Sequence, residues 1–202
     1  MEHIRAAEAL MPDGPVTVMK AWVEMIHRYL AMGIGVLIIA IVVISWRFWL
    51  QSGRTIHKFS PHFPVALLIF VCIQGAFGAW TVTMKLQPII VTIHLLLGMT
   101  LLGMLTWVGA RQKEHPPVAD RAYALRIPAL IALILLTFQI ALGGWVSTNY
   151  AALACSDFPL CHGALIPQMD FDNGFTLWRS LGMTADGESV SYTHLRAHET
   201  RH

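Results

Sequence analysis

Residues 89–110 read IIVTIHLLLGMTLLGMLTWVGA, without one Asp, Glu, Lys or Arg, and carry a histidine, His94, in the second turn. An α-helix needs about 20 predominantly apolar residues to cross the hydrocarbon core of a bilayer. Three further apolar runs have that length: Tyr29–Trp49, Val65–Met84 and Ile127–Ser147. Of the 202 residues, 55% are hydrophobic and only 13% charged, where a soluble domain carries about 25% charged residues. No short segments of alternating polarity point to a β-barrel. The sequence predicts an all-α polytopic membrane protein with four transmembrane helices in a bundle.

Orientation follows from Lys and Arg. Arg47, Arg54 and Lys58 follow the first span, and Arg111, Lys113, Arg121 and Arg126 follow the third, whereas the turn between spans two and three holds only Lys85. The positive-inside rule then places loops 50–64 and 111–126 in the cytoplasm and both termini outside. A basic start followed by a short apolar stretch and cleavage site is not present, so no signal peptide is expected. The net charge of +2 comes without a basic stripe, and no nucleic-acid partner is expected. Cys155 and Cys161 fall in the outer segment after the last span, where an oxidising compartment permits a disulfide. That bridge can steady a loop or take part in redox or haem-delivery chemistry. Cys72, inside the second span, reads as a small buried hydrophobe.

An ionisable or metal-ligating side chain at membrane depth is costly and marks a functional site. His27 and His94 are such residues, each near the outer end of a helix running outside to inside. Imidazoles at similar depth on neighbouring helices can hold a haem iron from both faces. Glu24, His27 and Arg28 share one helical face. Glu24 can orient the imidazole or stabilise positive charge on a reacting substrate, and Arg28 can pair with a haem propionate. Both can also simply anchor the helix at the interface. His57, His62 and His115 read as solvated loop residues, and His162 beside the cysteine pair stays open.

An internal echo joins Gln74-Gly75-Ala76-Phe77-Gly78-Ala79-Trp80 to Gln139-Ile140-Ala141-Leu142-Gly143-Gly144-Trp145. A glutamine among small residues suits close helix packing with an interhelical hydrogen bond, or contact with a cofactor. Residues 1–20 read as an outer polar segment, with Met11-Pro12-Asp13-Gly14-Pro15 breaking any helix before Lys20. Residues 21–147 form the four-helix haem-binding bundle, 148–188 the outer loop, and 189–202 a polar, non-native tail. His194, His198 and His202 therefore are not counted as ligands, despite their spacing.

Glu24-Met25-Ile26-His27-Arg28, residues 74–82, His94-Leu95, and residues 143–150 followed by Cys155-Ser156-Asp157-Phe158-Pro159-Leu160-Cys161 resemble haem A synthase over roughly residues 15–188. The resemblance implies half of an eight-helix, two-fold-repeat architecture in the bacterial inner membrane. It implies oxidation of the C8 methyl of haem O to the formyl of haem A, for cytochrome oxidase biogenesis. His27 and His94 match the histidine pair of the N-terminal half and Glu24 the glutamate implicated in the oxidation, with Arg28 and Gln74 beside the haem. Cys155 and Cys161 match the cysteine pair of the second large outer loop. Implied partners are haem O, haem O synthase and oxidase assembly factors. The family's first helix and last three helices have no counterpart here, and with them goes the second histidine pair for haem b. The expectation is a fragment, helices two to five, inactive by itself. A bis-histidine electron-transfer cytochrome and a cofactor-free assembly subunit are the other readings, and Glu24 beside His27 favours the enzyme.

Overall fold

A computed structural model describes residues 5, 9, 17–55, 60–114, 119–149, 151, 155, 160–161, 163–165, 171–178, 181–183 and 189–191. His57, Lys58, His115, Tyr150, Ser156–Pro159, His162, His194, His198 and His202 lie outside them.

Helix α1 (Val18–Gln51) starts three residues before the expected Ala21, because Thr17 caps it: the Thr17 hydroxyl accepts from the backbone N–H of Lys20 at 3.3 Å. Such a cap satisfies one of the donors that the first turn leaves open. At 34 residues and 1.5 Å per residue, α1 is about 50 Å long, some 20 Å more than the hydrocarbon core. With Trp46, Arg47 and Trp49 marking one boundary, the surplus falls on the first turns, which carry Glu24, His27 and Arg28. Helices α2 (His62–Thr83), α3 (Pro88–Gln112) and α5 (Arg126–Thr148) are the other three spans, and the single turn α4 (Asp120–Tyr123) leads into α5. All four long helices have the length and composition to cross a membrane. Beyond them lie the turn α6 (Phe171–Gly174) and two short paired strands, β1 (Leu181–Met183) and β2 (Ser189–Ser191).

The ends of α1 and α2 close alike, with different residues. At the end of α1, Gly53 N–H bonds Leu50 O and Arg54 N–H bonds Trp49 O, with Gly53 at φ +63°. After α2, Lys85 N–H bonds Val82 O and Leu86 N–H bonds Thr81 O, with Lys85 at φ +54°. Both are Schellman closures, whose left-handed position normally belongs to glycine. A side chain there costs roughly 1 kcal/mol or more. Lys85→Gly is therefore expected to stabilise the protein by about 1 kcal/mol, measured by denaturing-detergent titration; an unchanged or lower midpoint contradicts this account of the turn.

Two compact units divide the chain, one of residues 1–73 with 183–189 and one of 74–182 with 190–202, so the boundary passes within α2. In the first, Ile38 and Leu67 are fully buried, and Trp49 meets His62 edge-on at 6.0 Å between ring centroids. In the second, α3 packs against α5, with Thr92 and Leu101 buried on α3.

Most large apolar side chains remain exposed, among them Ile127, Leu130, Leu133, Leu136 and Phe138 on α5, which has no buried residue among those described. Patches of this extent belong against lipid. The exposed hydroxyls fit that setting, since a lipid-facing polar group has no water to bond. Those of Thr100, Thr106 and Thr137 turn back to the carbonyls four residues earlier, at 2.9, 2.8 and 2.8 Å. Cys72, expected to be buried, is exposed on α2. A membrane helix is apolar on all sides, so composition does not reveal which face is inward.

Candidate functional site

The second unit builds its interior around the first turns of α3, whose two faces meet two different helices. Positions 92 and 95 lie on one face and 94 and 98 on the other, by the three- and four-residue spacing of a helix. On the first face Thr92 and Leu95 approach Gly144 of α5: a Cβ added to Gly144 would stand 3.0 Å from Leu95 Cδ2 and 3.7 Å from Thr92 Oγ1. Small residues at such crossings let helix backbones come close.

On the second face, facing α2, His94 lies over Gly78. A Cβ on Gly78 would stand 3.1 Å from Cε1 of the imidazole, so the ring lies tight against the space that the missing side chain leaves. One helical turn away the pattern is reversed. Gln74 of α2 lies over Gly98 of α3, with Nε2 3.1 Å from where a Gly98 Cβ would be. The same Nε2 donates to the backbone carbonyl of His94 at 3.0 Å. The interhelical hydrogen bond expected of Gln74 is therefore present, and its acceptor belongs to the site histidine. Gly98 was not singled out in the sequence, although it stands one turn after His94 in α3.

Among the described residues, Gln74 Oε1, Thr92 Oγ1 and Asn149 Oδ1 are buried oxygens without a hydrogen-bond partner. Leaving a buried acceptor unmet costs about 1–3 kcal/mol. Thr92 differs in this from Thr100, Thr106 and Thr137. The second copy of the echo does not repeat the first: Gln139 is exposed and Gly143 faces open space. Its tryptophan does something else, since Trp145 Nε1 donates to Gly174 O at 2.9 Å and ties the segment around Gly174 to the end of α5. Cys155 and Cys161 form a disulfide, as expected. Beside it Cys161 and Ala164 exchange backbone hydrogen bonds of 2.9 and 3.1 Å around Gly163 at φ +76°.

In the first unit, Glu24 and Arg28 are joined as an ion pair and hydrogen bond along α1, both about half exposed. Each thus occupies the other, where the sequence offered Glu24 to His27 or a substrate and Arg28 to a propionate. His27 is exposed on the same face.

The His94 imidazole suits a haem iron. Imidazole nitrogens are common axial ligands, and His94 is held in a glycine notch with unmet oxygens in the same unit. Among the described residues no three His, Cys, Asp or Glu side chains gather as for a metal ion, and an axial pair does not require such a cluster.

The comparisons with known proteins identify the family. A family model described as cytochrome oxidase assembly protein matches residues 1–196. The chain is 41% identical over 172 residues to a haem A synthase of Shewanella oneidensis, covering 84% of this chain and 50% of that protein. It is 29% identical over 155 residues to a haem A synthase of Shouchella clausii (73% and 49% of the two chains) and 32% identical over 168 residues to one of a Methylobacterium species (80% and 45%). The chain thus spans about half the length of these relatives. No solved structure matches. With a family match over nearly its whole length and a 41% identical relative covering 84% of it, the chain belongs to the COX15-CtaA family of cytochrome oxidase assembly proteins.

Proposed function

We propose that this chain forms the substrate-haem half of a haem A synthase, binding haem O through His27 and His94 while its C8 methyl is oxidised to the formyl of haem A. The observation that carries the reading is His94, set over Gly78 on an apolar helix, in a chain whose relatives bear that name. Taking the methyl to the formyl removes four electrons and adds one oxygen atom, so the reaction calls for an external electron acceptor and an oxygen donor such as water. The residues of the chain bind and orient the haem: the two imidazoles offer neutral nitrogen donors, with Gln74 beside His94. Arg28 faces a propionate at the headgroup level that the surplus length of α1 reaches. Glu24 places negative charge where positive charge develops on the substrate, and the Arg28 pair is exchanged when haem enters. Haem b, and turnover itself, require the further half of the family's length.

The membrane is the bacterial inner membrane, with loops 50–64 and 111–126 cytoplasmic and the disulfide loop outside. Arg54 lies 5.3 Å over the Trp49 ring and Arg126 4.1 Å over Tyr123; such pairs suit the headgroup boundary at the basic ends of the spans. Haem O synthase and oxidase assembly factors are the partners this role calls for.

Haem extracted from the detergent-purified chain, made in cells that produce haem O, tests the reading. Haem O or haem A is the expected species. Haem b alone would favour an electron-carrying cytochrome, and a chain that never holds haem would count against both.

A further inference from the structure

We infer that Gln74 is a positioning residue for His94, with Gly98 as the seat that lets it act. The two contacts between α2 and α3 form a reciprocal pair. Gln74 reaches from α2 over Gly98 of α3, and His94 reaches from α3 over Gly78 of α2. Each long side chain is four residues from the glycine on its own helix, so the rungs lie one turn apart. The Gln74 amide bonds the carbonyl of His94 itself. A carbonyl oxygen has a second lone pair, so it accepts this donor in addition to its helical one. The bond sets the axial register of the two helices at the residue whose ring must be placed. A slip of one residue moves a helix by 1.5 Å, which would carry the imidazole off Gly78.

Bulk at either glycine has different consequences. A methyl on Gly78 presses on His94 directly, whereas a methyl on Gly98 meets only the Gln74 amide within 4 Å. Gly98→Ala therefore reports on Gln74 and reaches His94 only through it. Gln74 acts through the histidine and is not itself assigned contact with the haem, which refines its place at the site.

The test uses the detergent-solubilised chain with isotope-labelled histidine. The Cε1–H resonance of His94, identified by its loss in His94→Ala, is followed without haem in the parent, Gln74→Leu, Gly98→Ala and the double variant. Both single variants are expected to shift or broaden the resonance, and the double variant to match Gln74→Leu, because neighbours acting through one contact are not additive. Gly109→Ala, on the same helix with open space around it, should leave the resonance in place. Gln74→Glu, measured at a pH low enough to protonate its carboxyl so that the acid O–H can still donate, should keep the resonance near its parent position. With haem O supplied, Gln74→Leu is expected to weaken retention about tenfold or more, the range for groups supporting a metal ligand. If Gln74→Leu does not fold, Gly98→Ala stands in its place, since alanine favours the helix.

An unmoved His94 resonance in both single variants overturns the inference, as does a Gly98→Ala effect that persists after Gln74 is removed. The haem measurement rests on the proposed function and the resonance does not. Resonance shifts as described in a chain that binds no haem would uphold the positioning role and overturn the haem reading.

Discussion

Gly78→Val is expected to cost the protein its haem while leaving its helices formed. The first carbon of any side chain at position 78 stands 3.1 Å from Cε1 of His94, closer than ordinary van der Waals contact, and valine adds two methyls beyond it. The ring has to leave its notch or α2 has to move away from α3, and either change takes the imidazole from its bound position. Overpacking of this kind costs about 1–3 kcal/mol, spent here at one ligand. Retention should fall about a hundredfold, the upper end of what loss of a ligand's support produces. Gly75→Val is the control, since Gly75 on the same helix has nothing within 4 Å. The measurement is haem stoichiometry of purified variants beside helical content by circular dichroism. Equal loss in both variants would mean that valine in α2, not pressure on His94, is responsible.

Glu24→Gln is expected to separate binding from turnover. Glu24 is paired with Arg28 on an exposed face of α1, and exposed ion pairs contribute only about 0–1 kcal/mol to stability. Fold and haem retention should therefore change little. In the electrostatic role proposed for it, its loss is much larger: removing one group aimed at charge that develops in a transition state costs about 10²–10³-fold in rate. Haem A formation by the enzyme spanning the family's full length, followed by chromatography of extracted haems, should fall by that order with haem O still bound. Undiminished haem A would reduce Glu24 to an interfacial anchor, the reading its pairing with Arg28 would then support.

The four spans were legible because a bilayer imposes a length, and runs such as residues 89–110 meet it without a charge. The start of α1 was less so: the proline-rich stretch before Lys20 signals a break, but Thr17, beyond that stretch, caps the helix three residues before Ala21. His94 stood out as an ionisable side chain at membrane depth. Gln74 and Gly78 stood out through the echo and through the resemblance over residues 74–82, and the echo also pointed to Gln139, which is exposed. Similar heptapeptides do not share surroundings, because what each meets depends on the helix opposite. Gly98 shows the same limit: nothing local marks it, and its role exists only because Gln74 arrives from α2. The inward face of α2 could not be read at Cys72, since apolar residues cover the whole helix. For Glu24 and Arg28, the four-residue spacing along α1 already allowed the mutual pairing that the structure contains.

Ligation of one haem by His27 and His94, as proposed, can be read in the ferric electron paramagnetic resonance spectrum of the haem-loaded chain. The parent should give the low-spin signature of two imidazoles on one iron. His27→Ala and His94→Ala should each lose that signature, becoming high-spin or haem-free. A low-spin spectrum that survives either substitution would contradict the pairing.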